Sequence, residues 1–264
     1  MMKPPQFNDP REPKFQPTFE GRVIPLFATP IFRGWIDLPE DVVANDVRRL
    51  VKKSLDRHGA EDIERNYTTY FDDDLRQETE ELDWFTSFAN QIKDTYVLYI
   101  MDAFGQDVRK LNRNDIHLFA WVNHYRNPHQ HEVHNHVNSY ISGTYYVRAQ
   151  EKCQPIKFWS PNLMAQFSHG CVDQPIERDG YNTQGTEVTE TEAHFYPRDG
   201  EFLLWPSYLQ HAVPPIYDAP DDYERISISF NLKHRLEIDS THHGEPMNYD
   251  FLDRGVEDMF KDEQ

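Results

Sequence analysis

The sequence predicts a mainly β domain with flanking helices (α+β), a β-sandwich or jelly roll with helices packed on one face. Three observations carry that reading. From Asp115 onward, short runs rich in β-branched and aromatic residues follow one another with turn formers between them. Ahead of them lie two stretches with helical periodicity. The large aromatic side chains, from a pool of 17 Phe, 14 Tyr and 5 Trp, are densest between about Ile116 and Asn231, which places the core there. A chain of 264 residues is expected to form one large domain with decorations. The expected boundaries are an extended or disordered arm over 1–21, the domain over 22–235 (helical part about 40–105, β core about 115–235), and a polar tail over 236–264.

The arm carries five prolines within its first 20 residues and little apolar content. Arg22 to Leu38 alternates enough for one or two strands broken at Pro25 and Pro30. Pro39-Glu40-Asp41 opens a helix in which Val42, Val43, Val47, Leu50, Val51 and Leu55 recur at helical spacing, and Gly59 is its stop. Residues 60–80 are polar and read as irregular. A second helix is expected over Leu82–Phe104, with Trp84, Phe85, Phe88, Ile92, Tyr96, Ile100 and Phe104 down one core-facing stripe. The expected strands are IHLFAWVNHY, SYISGTYYV, PIKFWS, AHFYP, EFLLWP, HAVPPIY and RISISFNLK. The long polar segment 161–192 reads as a functional or mobile loop, a candidate lid.

Charge and cysteine content narrow the function classes. With 27 basic and 45 acidic residues the net charge is −18, which disfavours binding to nucleic acid or anionic lipid. Cys153 and Cys171 are too few for a disulfide framework or a thiolate zinc site and read as free thiols in a reducing compartment. The N-terminus lacks an apolar signal core and no run of 18 apolar residues occurs, so no membrane partner is expected. A cytoplasmic protein is expected, or a phage-encoded one acting in a host cytoplasm.

Two histidine-bearing segments carry the chemistry. His134-Asn135-His136 lies in HEVHNHVNSYISGTYYV, and His211 lies in GEFLLWPSYLQHAVPP. Residues two apart on a strand project to one face, so His134 and His136 can share an ion. His211, at the start of a later strand, is placed to supply the third imidazole. Such sites suit borderline first-row metals, and the usual non-haem iron site is two histidines and one carboxylate with three positions left open. Here His136 stands where a carboxylate is usual, making the site more positive by one unit. His129 and His131 have the opposite parity, so one regular strand cannot aim all four rings at one ion; they read as flanking or loop residues. Glu132 is a ligand only if the strand breaks there. In RISISFN, Arg225, Ser227 and Ser229 share one face, and Ile226, Ile228 and Phe230 the other. A guanidinium can fork onto a carboxylate, with a serine hydroxyl donating to the same group.

HNHVNSYISGTYYV, PRDGEFLLWPSYLQHAVPP and RISISFN together resemble the iron(II)/2-oxoglutarate-dependent oxygenases of marine bacteria and their phages, related in fold to prolyl hydroxylases. VIPLFATPIFRGWI resembles that family's opening strand. The likeness covers roughly residues 22–235 and is specific in the last 115. It implies a double-stranded β-helix (cupin-like jelly roll), Fe(II) on His134, His136 and His211, and 2-oxoglutarate held by Arg225 with Ser227. Tyr125 and Asn123 are further co-substrate candidates. The implied activity is hydroxylation of an unidentified substrate with O2, 2-oxoglutarate being decarboxylated to succinate. Two other readings stay open: a three-histidine cupin-type dioxygenase that does not use 2-oxoglutarate, and a non-catalytic metal-stabilised structural protein, such as one associated with a phage particle. Tyr145, Tyr146, Trp159 and Trp205 are candidate pocket aromatics.

Overall fold

The structure is a computed structural model, and the residues described in it are 29–105, 111–126, 129–150, 153–161, 186–188, 192–215, 220 and 222–234. The expected arm, the expected tail and most of the 161–192 lid segment lie outside these residues.

Two antiparallel five-stranded sheets face each other. The larger has the order β1-β8-β4-β10-β2, built from β1 (Phe32–Trp35), β2 (Ile116–Tyr125), β4 (Ile141–Ala149), β8 (Glu201–Pro206) and β10 (Arg225–His234). The smaller has the order β3-β9-β5-β7-β6, built from β3 (His131–His134), β5 (Ile156–Trp159), β6 (Thr186–Val188), β7 (Glu192–Phe195) and β9 (His211–Val213). This is a jelly roll whose outer face is covered by helices.

Helix α1 (Glu40–His58) begins after Pro39 and ends at Gly59, whose φ of 85° suits a residue without Cβ and whose N–H donates to Leu55 O. It buries Val43, Ala44, Val47, Leu50 and Val51. Each such Val or Leu contributes roughly 1.5–3 kcal/mol by leaving water. Val42, expected in that stripe, is exposed: it lies one residue off the buried face. Helix α3 (Phe85–Phe104) stops at Gly105 in the left-handed region and buries Phe88, Ile92, Tyr96 and Ile100, while Phe104 at its end is exposed.

Residues 60–80 are not wholly irregular. Asp72 accepts from the Leu75 N–H and caps an eight-residue helix, α2 (Asp73–Glu80). Its lone buried aliphatic, Leu75, gives no stripe to read.

Alternation along the larger sheet divides it into two environments. Val122, Tyr145, Phe202, Leu204, Ile226, Ile228 and Phe230 turn outward and form one core with α1 and α3. Tyr146, Leu203 and Trp205 turn inward and pack with Ile156 and Phe158 of the smaller sheet. The space between the sheets is therefore lined by the polar face of β10 and the histidine-bearing edge of the smaller sheet. Among the described residues, no helix is long and apolar enough to cross a membrane.

Candidate metal centre

Antiparallel pairing brings the three histidines together. β9 lies between β3 and β5, with His211 opposite His134 on one side and Phe158 on the other. His136 is not on the same strand as His134, as the two-residue spacing suggested. β3 ends at His134, and His136 is held instead by its N–H donating to Ser207 O at 2.9 Å, at the end of β8. The chain then turns through Asn138, at φ 60°, before β4 begins. One ring nitrogen from each of His134, His136 and His211 lies within 4.8 Å of the others. Among the described residues this cluster includes no carboxylate.

Each ring is tied by Nδ1 to an oxygen acceptor. The His134 Nδ1 meets Glu132 O at 2.7 Å, the His211 Nδ1 meets Leu209 O at 2.9 Å, and the His136 Nδ1 meets Asn231 Oδ1 at 2.5 Å. An acceptor at Nδ1 selects the tautomer protonated there and leaves the Nε2 lone pair free. Burial keeps the rings neutral. It lowers His134, lowers His211 well below its ordinary value, and brings His136 down to about 4, with Asn231 partly opposing the last shift. Three neutral imidazoles with free lone pairs converging on one point suit a divalent first-row cation. Glu132 contributes its carbonyl to His134, and its side chain is exposed.

Facing this cluster across the cavity is β10. Arg225, Ser227 and Ser229 line the same space as the three histidines, together with Tyr125 from β2. Arg225 is 2% exposed and stacks between Tyr125 and Tyr146, with centroid distances of 4.8 and 5.1 Å. Among the described residues its Nε and Nη1, and the Tyr146 hydroxyl, are buried with no well-formed hydrogen bond; the Tyr125 and Tyr146 hydroxyls are the groups nearest the guanidinium's charge. The acid that could have neutralised it, Glu224, turns away to Arg48 and His124. A buried cation with two donors lacking a hydrogen bond is costly unless something anionic occupies the space in front of it. The residues present thus fit a carboxylate ligand as well as a metal.

Asn123 lies one step back from this wall. Its Nδ2 donates to Ser229 Oγ at 3.0 Å and reaches Ser227 Oγ at 3.5 Å, and it does not line the cavity. Of the four aromatics considered from sequence, Trp205 lines the cavity and packs against His211 at 4.9 Å, and Tyr146 flanks Arg225. Tyr145 faces the helices against Phe88, and Trp159 is outside the cavity wall.

His131 is nearer the metal cluster than its parity allows. Its ring stacks on His134 at 4.0 Å and it lines the cavity. The pairing explains this: His131 opposes Val213 while His134 opposes His211, so three steps on β3 match two on β9. The bulge inverts the alternation and brings both histidines to one side. Burial, with His134 and His136 nearby, brings His131 down to about 3. His129 instead packs on Tyr67 at 4.9 Å and accepts from the Arg126 N–H. Sequence reasoning missed Asn231 and Trp121. The first holds His136, and the second lines the cavity 5.8 Å from the His136 ring.

Residues 119–231 match the model of a family described as "Putative 2OG-Fe(II) oxygenase", and the three histidines and Arg225 all fall inside that stretch. Similar solved structures include a Pseudomonas putida prolyl-4-hydroxylase at 13% identity, covering 79% of this chain and 94% of that one with a TM-score of 0.43. HygX from Streptomyces hygroscopicus with iron bound is 11% identical, covering 77% of this chain and 82% of that one with a TM-score of 0.39. A comparison with curated proteins finds no match. Residues 119–231 are thus similar to the domain of the 2OG-Fe(II) oxygenases, a family named for its dependence on 2-oxoglutarate and Fe(II).

Proposed function

We propose that this chain is a hydroxylase of that class, with Fe(II) on His134, His136 and His211 and 2-oxoglutarate anchored by Arg225. The observation that carries the reading is the buried Arg225, whose Nε and Nη1 make no well-formed hydrogen bond among the described residues and which lines the same cavity as the three imidazoles.

When bound, the metal and co-substrate supply the oxidising chemistry: 2-oxoglutarate and O2 become succinate and CO2 while a substrate C–H becomes C–OH. The chain's own residues prepare the place for it. His134, His136 and His211 present neutral Nε2 atoms, and three protein ligands leave positions open for exchangeable ones. Arg225 neutralises the distal carboxylate with charge-assisted hydrogen bonds, Ser227 donates a hydroxyl to the same group, and the Tyr125 and Tyr146 rings keep water from the guanidinium. Asn123 acts through the hydroxyls it holds. His136, in place of a carboxylate, leaves the dication to be balanced by the co-substrate dianion alone. That arrangement ties metal retention to co-substrate binding more closely than a carboxylate-containing site would.

A three-histidine oxygenase that does without 2-oxoglutarate leaves Arg225 with no anion to hold. The test is succinate production by protein reconstituted with Fe(II) in air. We expect succinate only when both iron and 2-oxoglutarate are present, and none from His211→Ala. Wild-type protein that retains iron but leaves 2-oxoglutarate unconsumed sinks the proposal in favour of chemistry without the 2-oxo acid.

A further inference from the structure

The three ligand rings are not held in the same way. His134 and His211 each donate Nδ1–H to a main-chain carbonyl two residues earlier, Glu132 O and Leu209 O. Local backbone supplies those acceptors whatever the side chains. His136 has no such carbonyl. Its acceptor is the side-chain oxygen of Asn231 at 2.5 Å, from the far end of β10. That oxygen also accepts from Ser142 Oγ at 2.8 Å; Ser142 in turn contacts Ser207 Oγ at 2.8 Å, which Ser139 Oγ reaches at 2.9 Å. The Ser207 carbonyl accepts the His136 N–H. The ring and the backbone of His136 are thus held by one connected set of groups.

We propose that Asn231 is the positioning residue for His136: its amide oxygen fixes the ring's orientation and tautomer and so presents the Nε2 lone pair to the metal. The inference rests on reading His136 as a ligand. The amide is oriented with its oxygen toward both Ser142 Oγ and His136 Nδ1, an arrangement in which both of those groups donate to it. A reversed amide would present NH2 to Nδ1, move the ring proton to Nε2 and block coordination. Asn231 has the same parity as Arg225, Ser227 and Ser229, so one face of one strand carries both the co-substrate anchor and the group that aims a ligand. The ligand that replaces the usual carboxylate is the one whose aim depends on a replaceable side chain.

The test compares wild type with Asn231→Leu, Asn231→Asp and Ser142→Ala. Histidine side-chain 15N spectra of metal-free protein report the tautomer, and Co(II) titration followed by visible absorption reports the metal. We expect Nδ1–H on His136 in wild type and a shift toward Nε2–H in Asn231→Leu, with Co(II) affinity lowered roughly 10–100-fold. Asn231→Asp, which keeps an oxygen acceptor, retains both the tautomer and the binding. Ser142→Ala keeps the fold's packing while loosening the amide, and gives a smaller loss in the same direction. Nε2–H on His136 in wild type overturns the inference. So does Co(II) binding and absorption in Asn231→Leu that match wild type, even if its metal-free melting temperature falls, since that is the behaviour of a residue that only supports the fold. Wild type with the Nδ1–H tautomer but no Co(II) uptake supports the assignment of the amide and overturns the iron reading instead.

Discussion

Replacing Arg225 by Met separates a ligand-binding guanidinium from one that merely supports the fold. The side chain is 2% exposed, with two nitrogens lacking a hydrogen bond and, among the described residues, no acid paired with it, so in the ligand-free protein it is a buried charge that methionine relieves at similar volume. We therefore expect metal-loaded Arg225→Met to melt no lower than wild type in the absence of 2-oxoglutarate. The ligand effect has the opposite sign. Hydrogen bonds to a charged group contribute about 1.5–3 kcal/mol, so losing them weakens 2-oxoglutarate binding roughly 10–150-fold. Ligand at about 100 times its Kd stabilises wild type by about 2.7 kcal/mol, whereas a variant bound 100-fold more weakly gains only about 0.4 kcal/mol. At about 2–4 °C per kcal/mol, those are rises of roughly 5–11 °C and about 1–2 °C. The assay is thermal unfolding of Mn(II)-loaded protein under nitrogen, with and without 2-oxoglutarate. A variant that melts several degrees lower yet keeps the full ligand-induced rise would refute the reasoning and make Arg225 structural.

Other perturbations follow from the same geometry. His136→Asp restores a two-histidine, one-carboxylate set and is expected to keep iron-dependent succinate production, while His136→Leu loses it; loss in both would mean that the imidazole itself is required. Burial lowers His124, His129 and His136 to about 4 from an ordinary 6.5, so the unfolded chain binds more protons between those values. Stability of the metal-free protein should therefore fall as pH drops from about 6.5 to about 4, measured as the urea midpoint, and a flat midpoint across that window would contradict the buried, neutral rings. At Gly143 an added Cβ would collide with the Phe230 ring and sit 2.7 Å from Leu203 O, so Gly143→Ala should cost about 1–3 kcal/mol. A melting temperature unchanged from wild type would show that β4 and β10 are less tightly apposed.

What could be read from the chain was what periodicity encodes. The hydrophobic runs from Ile116 onward became strands because β-branched and aromatic residues mark them whatever their partners. Val43, Val47, Leu50 and Val51 likewise marked α1 before any fold was known. The polar face of RISISFN was also legible, because one strand's alternation needs no knowledge of its neighbours. β3 and His131 were not, since a bulge is defined by a register between two strands and cancels the parity that a single strand displays. Asn231 escaped notice for a related reason. It lies 95 residues from His136, and only the pairing of β10 with β4 brings it beside Ser142 and the ring. α2 was hidden because Asp72 caps a helix whose single aliphatic side chain is Leu75.

The most direct test of the central claim is anaerobic addition of 2-oxoglutarate to the Fe(II)-loaded protein, watched by visible absorption. A charge-transfer band that saturates at one 2-oxoglutarate per iron, and is absent in His211→Ala, is the result expected if the 2-oxo acid joins the metal held by the three histidines. An iron-loaded wild type that gives no band at saturating 2-oxoglutarate would contradict it.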